Sequence, residues 1–559
     1  MNILFINPPS LPYTYHIGKL TDGTGANYIL RPAPLGICYL SSAVKAFSKV
    51  SSVEILDFIA NLENQPDHEA FEAFVDDLIC RVEIVPDVIA WSMLFSTSHA
   101  FFELIAPRLK EKWPGAISIA GGAHPTNATA IMFADNLTDY VARGESEMSF
   151  SKFINQLVAG EPVDVYGIYD RDKLERQGGN PVEIGEMPTN LDTLPLPDWE
   201  LLDMPVYLRS SLGFKRDFGS APNAVAFPLM TSRGCTFKCT FCGSHTVHGR
   251  RMRYHSVERV IQEVSLLHQR YGVNLIIPED DLFTANKART KELLNAIKDL
   301  KIPDIELQCP NALSVNTLDE ELIDLLESVG MRICTLAIES GSPFVQNEII
   351  KKRCNLDKAR RLVKYVKSRD MYCRCYYVLG FPGETREMIE ETIQYARDLG
   401  ADWANFNVAV PLLGSEMYDQ FFAMGVLTDH KAVWASDYGK RTFDTPEMGA
   451  AELVDLQYRA NIDVNFLNNP LVTGGQYGKA ITVFADILRH YPFHIFAMYM
   501  TAVCHRHLGQ NDKAESALAD ILARVDTDEC SQDQLFRFGN LIPDLQTFLL
   551  SNGRAVAKG

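Results

Sequence analysis

Over the first 150 residues, short apolar runs alternate with longer amphipathic stretches. The runs are ILFIN (3–7), VEILD (53–57), VIAWS (88–92), ISIAGG (117–122) and YVARGE (140–145), and the stretches include 35–47 and 100–113. Short buried strands alternating with helices predict a parallel, doubly wound, Rossmann-like sheet. Ligands of such sheets sit beyond the carboxyl ends of the strands. Asn7, Asp57, Ser92, Gly121, Gly122 and Gly144 stand at those ends.

From about 160 to 207 the periodicity fades, and QGGNP and LPLPDW predict turns and an extended linker. A second alternating series starts near 224. Its strands are AVAFPLMT, NLIIPE, IELQCPN, RICTLAIES, CRCYYVLG and WANFNVAV, with helices predicted over 256–271, 285–300, 319–329, 357–369 and 386–399. Six strand–helix repeats fit a partial (β/α)6 barrel, with an open doubly wound sheet as the competing arrangement. Beyond about 425 the pattern is helical, and 477–525 resembles a tetratricopeptide helix pair and the start of another. A helical cap and a protein-docking module both fit that pattern. The expected α/β organisation is a doubly wound domain (1–160), a linker (161–220), a partial barrel (221–425) and a helical region (426–559).

Composition narrows the function. The 559 residues are 47% apolar and 22% charged, enough to bury several cores. A formal charge of -18 argues against general nucleic-acid or membrane-surface binding. No apolar run reaches the length of a spanning helix, so no membrane span is expected. MNILFINPPS lacks the basic start and cleavage site of a signal peptide, and the expected location is cytoplasmic. The 12 cysteines then read as thiols and metal ligands rather than a disulfide framework.

TSRGCTFKCTFCGSH sets Cys235, Cys239 and Cys242 in a C-x3-C-x2-C array directly after a strand. Three thiolates in one loop can ligate three irons of a cubane cluster and leave the fourth open for an outside ligand. A zinc loop completed by His245 or His248 is the competing reading. The spacing, with Phe241 before the third cysteine, resembles the radical S-adenosylmethionine (SAM) superfamily. The resemblance implies a [4Fe-4S] cluster whose open iron chelates SAM, and an external electron donor. It also implies SAM contacts from Phe241 and from PEDDLFT (278–284), where Glu279, Asp280 and Asp281 are candidates and Asp280 is favoured. AIESGS (337–342) would contribute Glu339 and Ser340, and LGFPGET (379–385) Gly380 and Pro382.

The preceding doubly wound domain and LPxPDW-type linker resemble the cobalamin-binding class of that superfamily. The resemblance rests on NPP (7–9), PAPLGICYLSSAVK (32–45), Asp57 and GGAHPT (121–126). It implies a cobalamin site at Asn7, Pro34, Gly36, Asp57, Ser92, Ser96, Gly121, Gly122, His124 and Gly144. The D-x-H-x-x-G motif that supplies a lower cobalt ligand is absent. TYHIGK around His16 is the nearest sequence, and His124 reads as a hydrogen-bond partner rather than a cobalt ligand. The expected activity is a cobalamin-dependent radical SAM methyltransferase acting on an unactivated carbon of an unidentified small molecule or peptide. Two alternatives keep the cofactors: an oxidative cyclase without methyl transfer, and a peptide-modifying enzyme docking a partner through its C-terminal helices.

Overall fold

The computed structural model describes residues 1–9, 33–62, 71–134, 136–210, 223–369, 371–430, 434 and 441–552. His16 lies outside them. The chain divides into two compact units. The first comprises 1–332, 350–352 and 410–438, and the second 333–349, 353–409 and 439–559.

The first unit opens with six strands: β1 (Asn2–Asn7), β2 (Ser52–Asp57), β3 (Val88–Ser92), β4 (Ile117–Gly121), β5 (Tyr140–Ala142) and β6 (Ile168–Tyr169). They pair in the order β2-β1-β3-β4-β5-β6, parallel except for β6. Successive strand residues point to opposite faces, and here both faces are covered. Leu4, Ile6, Ile89 and Trp91 pack with helices Phe71–Cys80 and His99–Lys112. Ile3, Phe5, Val88 and Ala90 pack with Leu35–Phe47 and Glu147–Ala159. Double coverage explains why these strands read as continuous apolar runs.

The linker is more structured than its composition predicts. Two short 3-10 turns, Leu191–Thr193 and Trp199–Leu201, lead into helix Met204–Ser210. Trp199, Leu202, Met204 and Tyr207 share a core with Cys38, Ala60, Phe227 and Leu267. The Asp198 carboxylate accepts from Ser41 Oγ at 2.6 Å and Lys45 Nζ at 2.5 Å. The linker is thus a strap built into the first unit.

All six strands of the second series form, but as two parallel sheets of three rather than one ladder. In the first unit β7 (Ala226–Leu229), β10 (Leu275–Pro278) and β11 (Glu306–Leu307) pair in the order β11-β10-β7. A short antiparallel pair, β8 (Ser232–Arg233) and β9 (Arg253–Tyr254), lies between them in sequence. In the second unit β12 (Ile333–Glu339), β13 (Tyr372–Leu379) and β14 (Trp403–Val408) pair in chain order. β11 is only two residues long. Pro310 beyond it lacks an N–H to donate, and Ala312 takes a positive φ of 68°, so the extended backbone stops there.

In the second unit, helices Leu356–Ser368 and Arg386–Leu399 accompany the sheet. Helices Tyr477–His490, Ile495–His507 and Asn511–Thr527 follow, each packed on the next, with Gly509 at φ 71° in a turn. No helix among the described residues is long and apolar enough to cross a membrane.

Candidate functional site

The cysteine loop is fixed at both ends by backbone geometry. Gly234 has φ +93°, and a Cβ there would meet the Arg251 carbonyl oxygen at 2.4 Å, so this turn admits only glycine. Cys235 N–H donates to Gly249 O at 3.4 Å, Thr240 N–H to Ile350 O at 3.1 Å, and Met417 N–H to Thr240 O at 2.8 Å. Cys235, Cys239 and Cys242 are half-buried thiols on this loop, outside any disulfide, with Phe241 half-buried among them. Among the described residues no three His, Cys, Asp or Glu side chains converge as they would on a single ion. A cubane makes no such demand, because each thiolate takes its own iron. The donor set therefore fits a cluster with one open iron. Burial raises the Cys235 thiol above its usual value, so metal binding must displace a proton. For the zinc alternative, His248 Nδ1 is engaged by Glu145 Oε1 at 2.8 Å, which leaves Nε2 as the ring nitrogen that could face a metal.

Below the loop lies the acidic turn that follows β10. Asp280 is 5% exposed. Its Oδ1 accepts from Thr231 N–H at 2.7 Å, and its Oδ2 from the hydroxyls of Thr231, at 2.6 Å, and Ser232. Three of a carboxylate's roughly four acceptor sites are thus used on the framework. Asp280 braces the strand that feeds the cluster loop and is not an open contact. Asp281 is exposed. Glu279 is half-buried, accepts from Asn311 Nδ2 at 2.7 Å, and is raised in pKa by burial. Of the three acids it is the one placed to gain from a cation.

A buried ionic clamp joins this loop to the end of the first sheet. Glu145, just past β5, accepts from Arg253 through both oxygens and lies 3.1 Å from Arg233 Nη1. Arg233, two residues before Cys235, also donates to Glu147 Oε1 at 2.7 Å. Both arginines and both glutamates are nearly inaccessible. Burial alone would raise the Glu145 pKa. Hydrogen bonds from Arg253 and His248 and the charge of Arg233 overcome it and hold the carboxyl well below its usual range. The partners lie 86 to 108 residues apart in sequence. No local pattern shows their pairing, although the acids of RGESE and the arginine of SRGC stand beside recognisable motifs.

At the ligand end of the first sheet the expected cobalamin residues separate into groups. Ser92, Ser96, Gly121, Gly122 and His124 come together where β3 and β4 end. Gly122 has φ +107°, and a Cβ there would strike the Met93 carbonyl oxygen at 2.5 Å. Pro34 and Gly36 open helix Leu35–Phe47, with Gly36 exposed and nothing within 4 Å of its Cβ position. Asn7 and Asp57, expected to face a ligand, instead form a buried knot. Asp57 accepts from Asn7 Nδ2 at 2.8 Å and from the Tyr207 hydroxyl at 2.5 Å, which closes the linker onto the sheet. Gly144 is required for packing, since a Cβ would meet Ile184 Cγ1 at 2.6 Å. The remaining residues offer glycine backbone, small hydroxyls and open space, which suits a flat, bulky ligand.

The other expected SAM residues lie in the second unit. Glu339 ends β12 at φ +70°, where the register with β13 skips a residue. Ser340 is fully buried, its hydroxyl 2.9 Å from Thr392 Oγ1 and accepting from Ser342 N–H at 3.1 Å. It therefore ties the turn to helix Arg386–Leu399. Gly380, at φ +88°, and Phe381 donate their N–H groups to Glu384 Oε2 at 2.6 and 3.0 Å, and Pro382 stands half-exposed at the turn.

Comparison with known proteins agrees with both regions. Residues 24–154 match the B12 binding domain, and residues 229–396 match the Radical SAM superfamily. The cytidylyl-2-hydroxyethylphosphonate methyltransferase of Streptomyces wedmorensis is 28% identical over 83% of this chain and 90% of its own length. The anaerobic magnesium-protoporphyrin IX monomethyl ester cyclase of Cereibacter sphaeroides is 24% identical over 80% of this chain and 67% of its own. Among solved structures, the radical SAM methyltransferase TsrM from Kitasatospora setae shares the fold with a TM-score of 0.56 at 16% identity. The match covers 76% of this chain and 74% of that one. With a radical SAM region around the cysteine loop and a B12-binding region ahead of it, the chain is a cobalamin-binding radical SAM enzyme.

Proposed function

We propose that this enzyme transfers a methyl group to an unactivated carbon, or a similarly poor nucleophile, of a substrate still to be identified. The observation that carries the reading is the Glu145–Arg233 clamp. It ties the cysteine loop to the ligand end of the first sheet within one compact unit, as a reaction using both cofactors requires. When bound, the cluster supplies the electron that cleaves SAM, and cobalamin supplies a methyl carrier. The protein's part is to hold and orient. Cys235, Cys239 and Cys242 hold the cluster, with Asp280 bracing the strand below and Phe241 beside it. The half-buried Glu279 carboxylate suits the ammonium group of SAM. Glu339 sits in a backbone conformation that is costly for a non-glycine residue, as positioned binding groups often do. Ser340, Gly380 and Pro382 shape the turns that would line the nucleoside. Ser92, Ser96, Gly36, Gly121 and Gly122 would receive the corrin.

The length of the match to the Streptomyces methyltransferase supports methyl transfer. The match to the Cereibacter cyclase favours a second reading, oxidative ring closure with the same cofactors. The test uses anaerobically reconstituted protein with reductant, cobalamin and SAM, and quantifies both nucleoside products. S-adenosylhomocysteine together with 5′-deoxyadenosine is expected. 5′-Deoxyadenosine alone, with cobalamin bound, would favour the cyclase reading. Neither product, from protein with a full cluster, would sink both. Changing all three cysteines to alanine should abolish iron uptake and 5′-deoxyadenosine together.

A further inference from the structure

Where β3 and β4 end, two histidines are buried together. His99 and His124 are 2% and 1% exposed, and their Nδ1 and Nε2 atoms lie 2.8 Å apart. The other nitrogen of His124, Nδ1, lies 3.1 Å from Ser96 Oγ. Trp434 stacks on the His99 ring at 3.9 Å. Burial, followed by the neighbouring His99, lowers His124 to about 3, so its ring is neutral. With both nitrogens engaged inside the protein, His124 has none left for a metal. At one end of the chain Ser96 is half-exposed, and Leu94 and Phe95 before it are 61% and 41% exposed; at the other, His99 Nε2 lies 3.9 Å from Glu103 Oε1, whose side chain is 32% exposed. Leu94 and Phe95 thus set two exposed apolar side chains side by side at the ligand end of the sheet, where they form a ledge.

We infer that Leu94, Phe95 and Ser96 form the seat on which the corrin rests, with Ser96 as a hydrogen-bonding contact and the His124–His99 pair as the positioning relay behind it. The inference rests on the cobalamin-dependent reading above. With the His124 ring neutral, two proton arrangements are available. In one, His99 keeps its proton on Nε2, His124 Nε2–H donates to His99 Nδ1, and the Ser96 hydroxyl donates to His124 Nδ1. The serine oxygen then faces outward as an acceptor. In the other, His99 Nδ1–H donates to His124 Nε2 and His124 Nδ1–H donates to Ser96 Oγ, so the serine proton points outward. Each residue holds one proton in both arrangements, and the pair decides whether the seat offers a donor or an acceptor.

The test titrates the full-length protein with aquacobalamin and records the absorption and electron paramagnetic resonance spectra of bound cob(II)alamin. Ser96→Ala is expected to weaken binding about three- to tenfold, the value of one hydrogen bond, and to shift the cob(II)alamin signal. His99→Phe leaves Ser96 and His124 in place and should shift that signal in the same direction by less, while His99→Gln, which restores a polar partner, should recover it. Circular dichroism melts identify any variant that fails to fold, and Ser96→Ala, at a half-exposed position, guards against that outcome. Unchanged affinity and spectra in Ser96→Ala would overturn the seat. A change there with His99→Phe identical to the wild type would overturn the relay. Failure of the wild type to take up cobalamin would overturn the functional reading itself.

Discussion

Two buried glutamates hold two turns in this protein, and they do so in opposite electrostatic regimes. Glu145, in the first unit, is surrounded by Arg233, Arg253 and His248, and its pKa is driven down despite burial. Glu384, in the second unit, is equally inaccessible but receives two backbone N–H groups, from Gly380 and Phe381, with Arg441 as a weaker influence. Its other oxygen, Oε1, has no hydrogen-bond partner. Burial dominates there, and its pKa rises to about 7. The same residue type, equally buried, is thus a permanent anion in one turn and a titrating group in the other. The difference is the number of cations that arrive with it.

The comparison breaks most severely at Arg233→Met. That change leaves Glu147 without its charge partner and Glu145 with one fewer, and should destabilise the first unit by about 3 to 5 kcal/mol. Urea denaturation would measure the loss, and iron retained after reconstitution should fall with it, because Arg233 stands two residues from Cys235.

The pH dependence sharpens the comparison next. Glu384 has a folded pKa above its unfolded value of 4.5, so the folded state binds more protons between the two. Stability of its turn should therefore fall as pH rises from the unfolded value to about 7, by up to about 3 kcal/mol. Glu384→Gln keeps an acceptor for Gly380 and Phe381 and should flatten that dependence, read as amide-exchange protection at those two residues. Retained pH dependence in the variant would locate the titration elsewhere. Glu145 has the opposite sign. Its depressed pKa stabilises the fold above the ordinary carboxylate range and is lost only as pH falls through the folded value, so the clamp should persist at pH 4.

Arg441→Met should act only on the second turn. Arg441 Nη1 donates to Gly380 O at 3.1 Å, and removing its charge should move the Glu384 transition to higher pH while leaving iron binding unchanged. The smallest effect is expected at the half-exposed pair Lys351–Glu416, 2.6 Å apart. Lys351→Ala should cost about 0 to 1 kcal/mol and be screened by salt, which marks the scale against which the buried network is judged.

The strands and helices were largely legible because periodicity is local. The runs at 3–7 and 88–92 could be read as doubly covered strands without knowing what covers them. The cysteine triplet was legible for the same reason, since its chemistry lies in eight consecutive residues. Long-range pairings were not. Asn7 and Asp57 carried the right polarity for a ligand site, yet Tyr207, 150 residues beyond Asp57, takes them into the core. Asp280 looked like a contact and is a brace, because Thr231 and Ser232 reach it from 49 and 48 residues away. His99 gave no signal, as one histidine opening an amphipathic helix has nothing to mark it until His124 lies against it.

By itself, the chain's sequence determined which segments become strands and where three thiolates gather, because these follow from side-chain periodicity and residue spacing within a few residues. Only the tertiary structure decided which acids are anions, which polar residues at strand ends stay open, and that the linker is a strap. Those outcomes depend on desolvation and on partners brought from distant parts of the chain, and neither is expressed in local order.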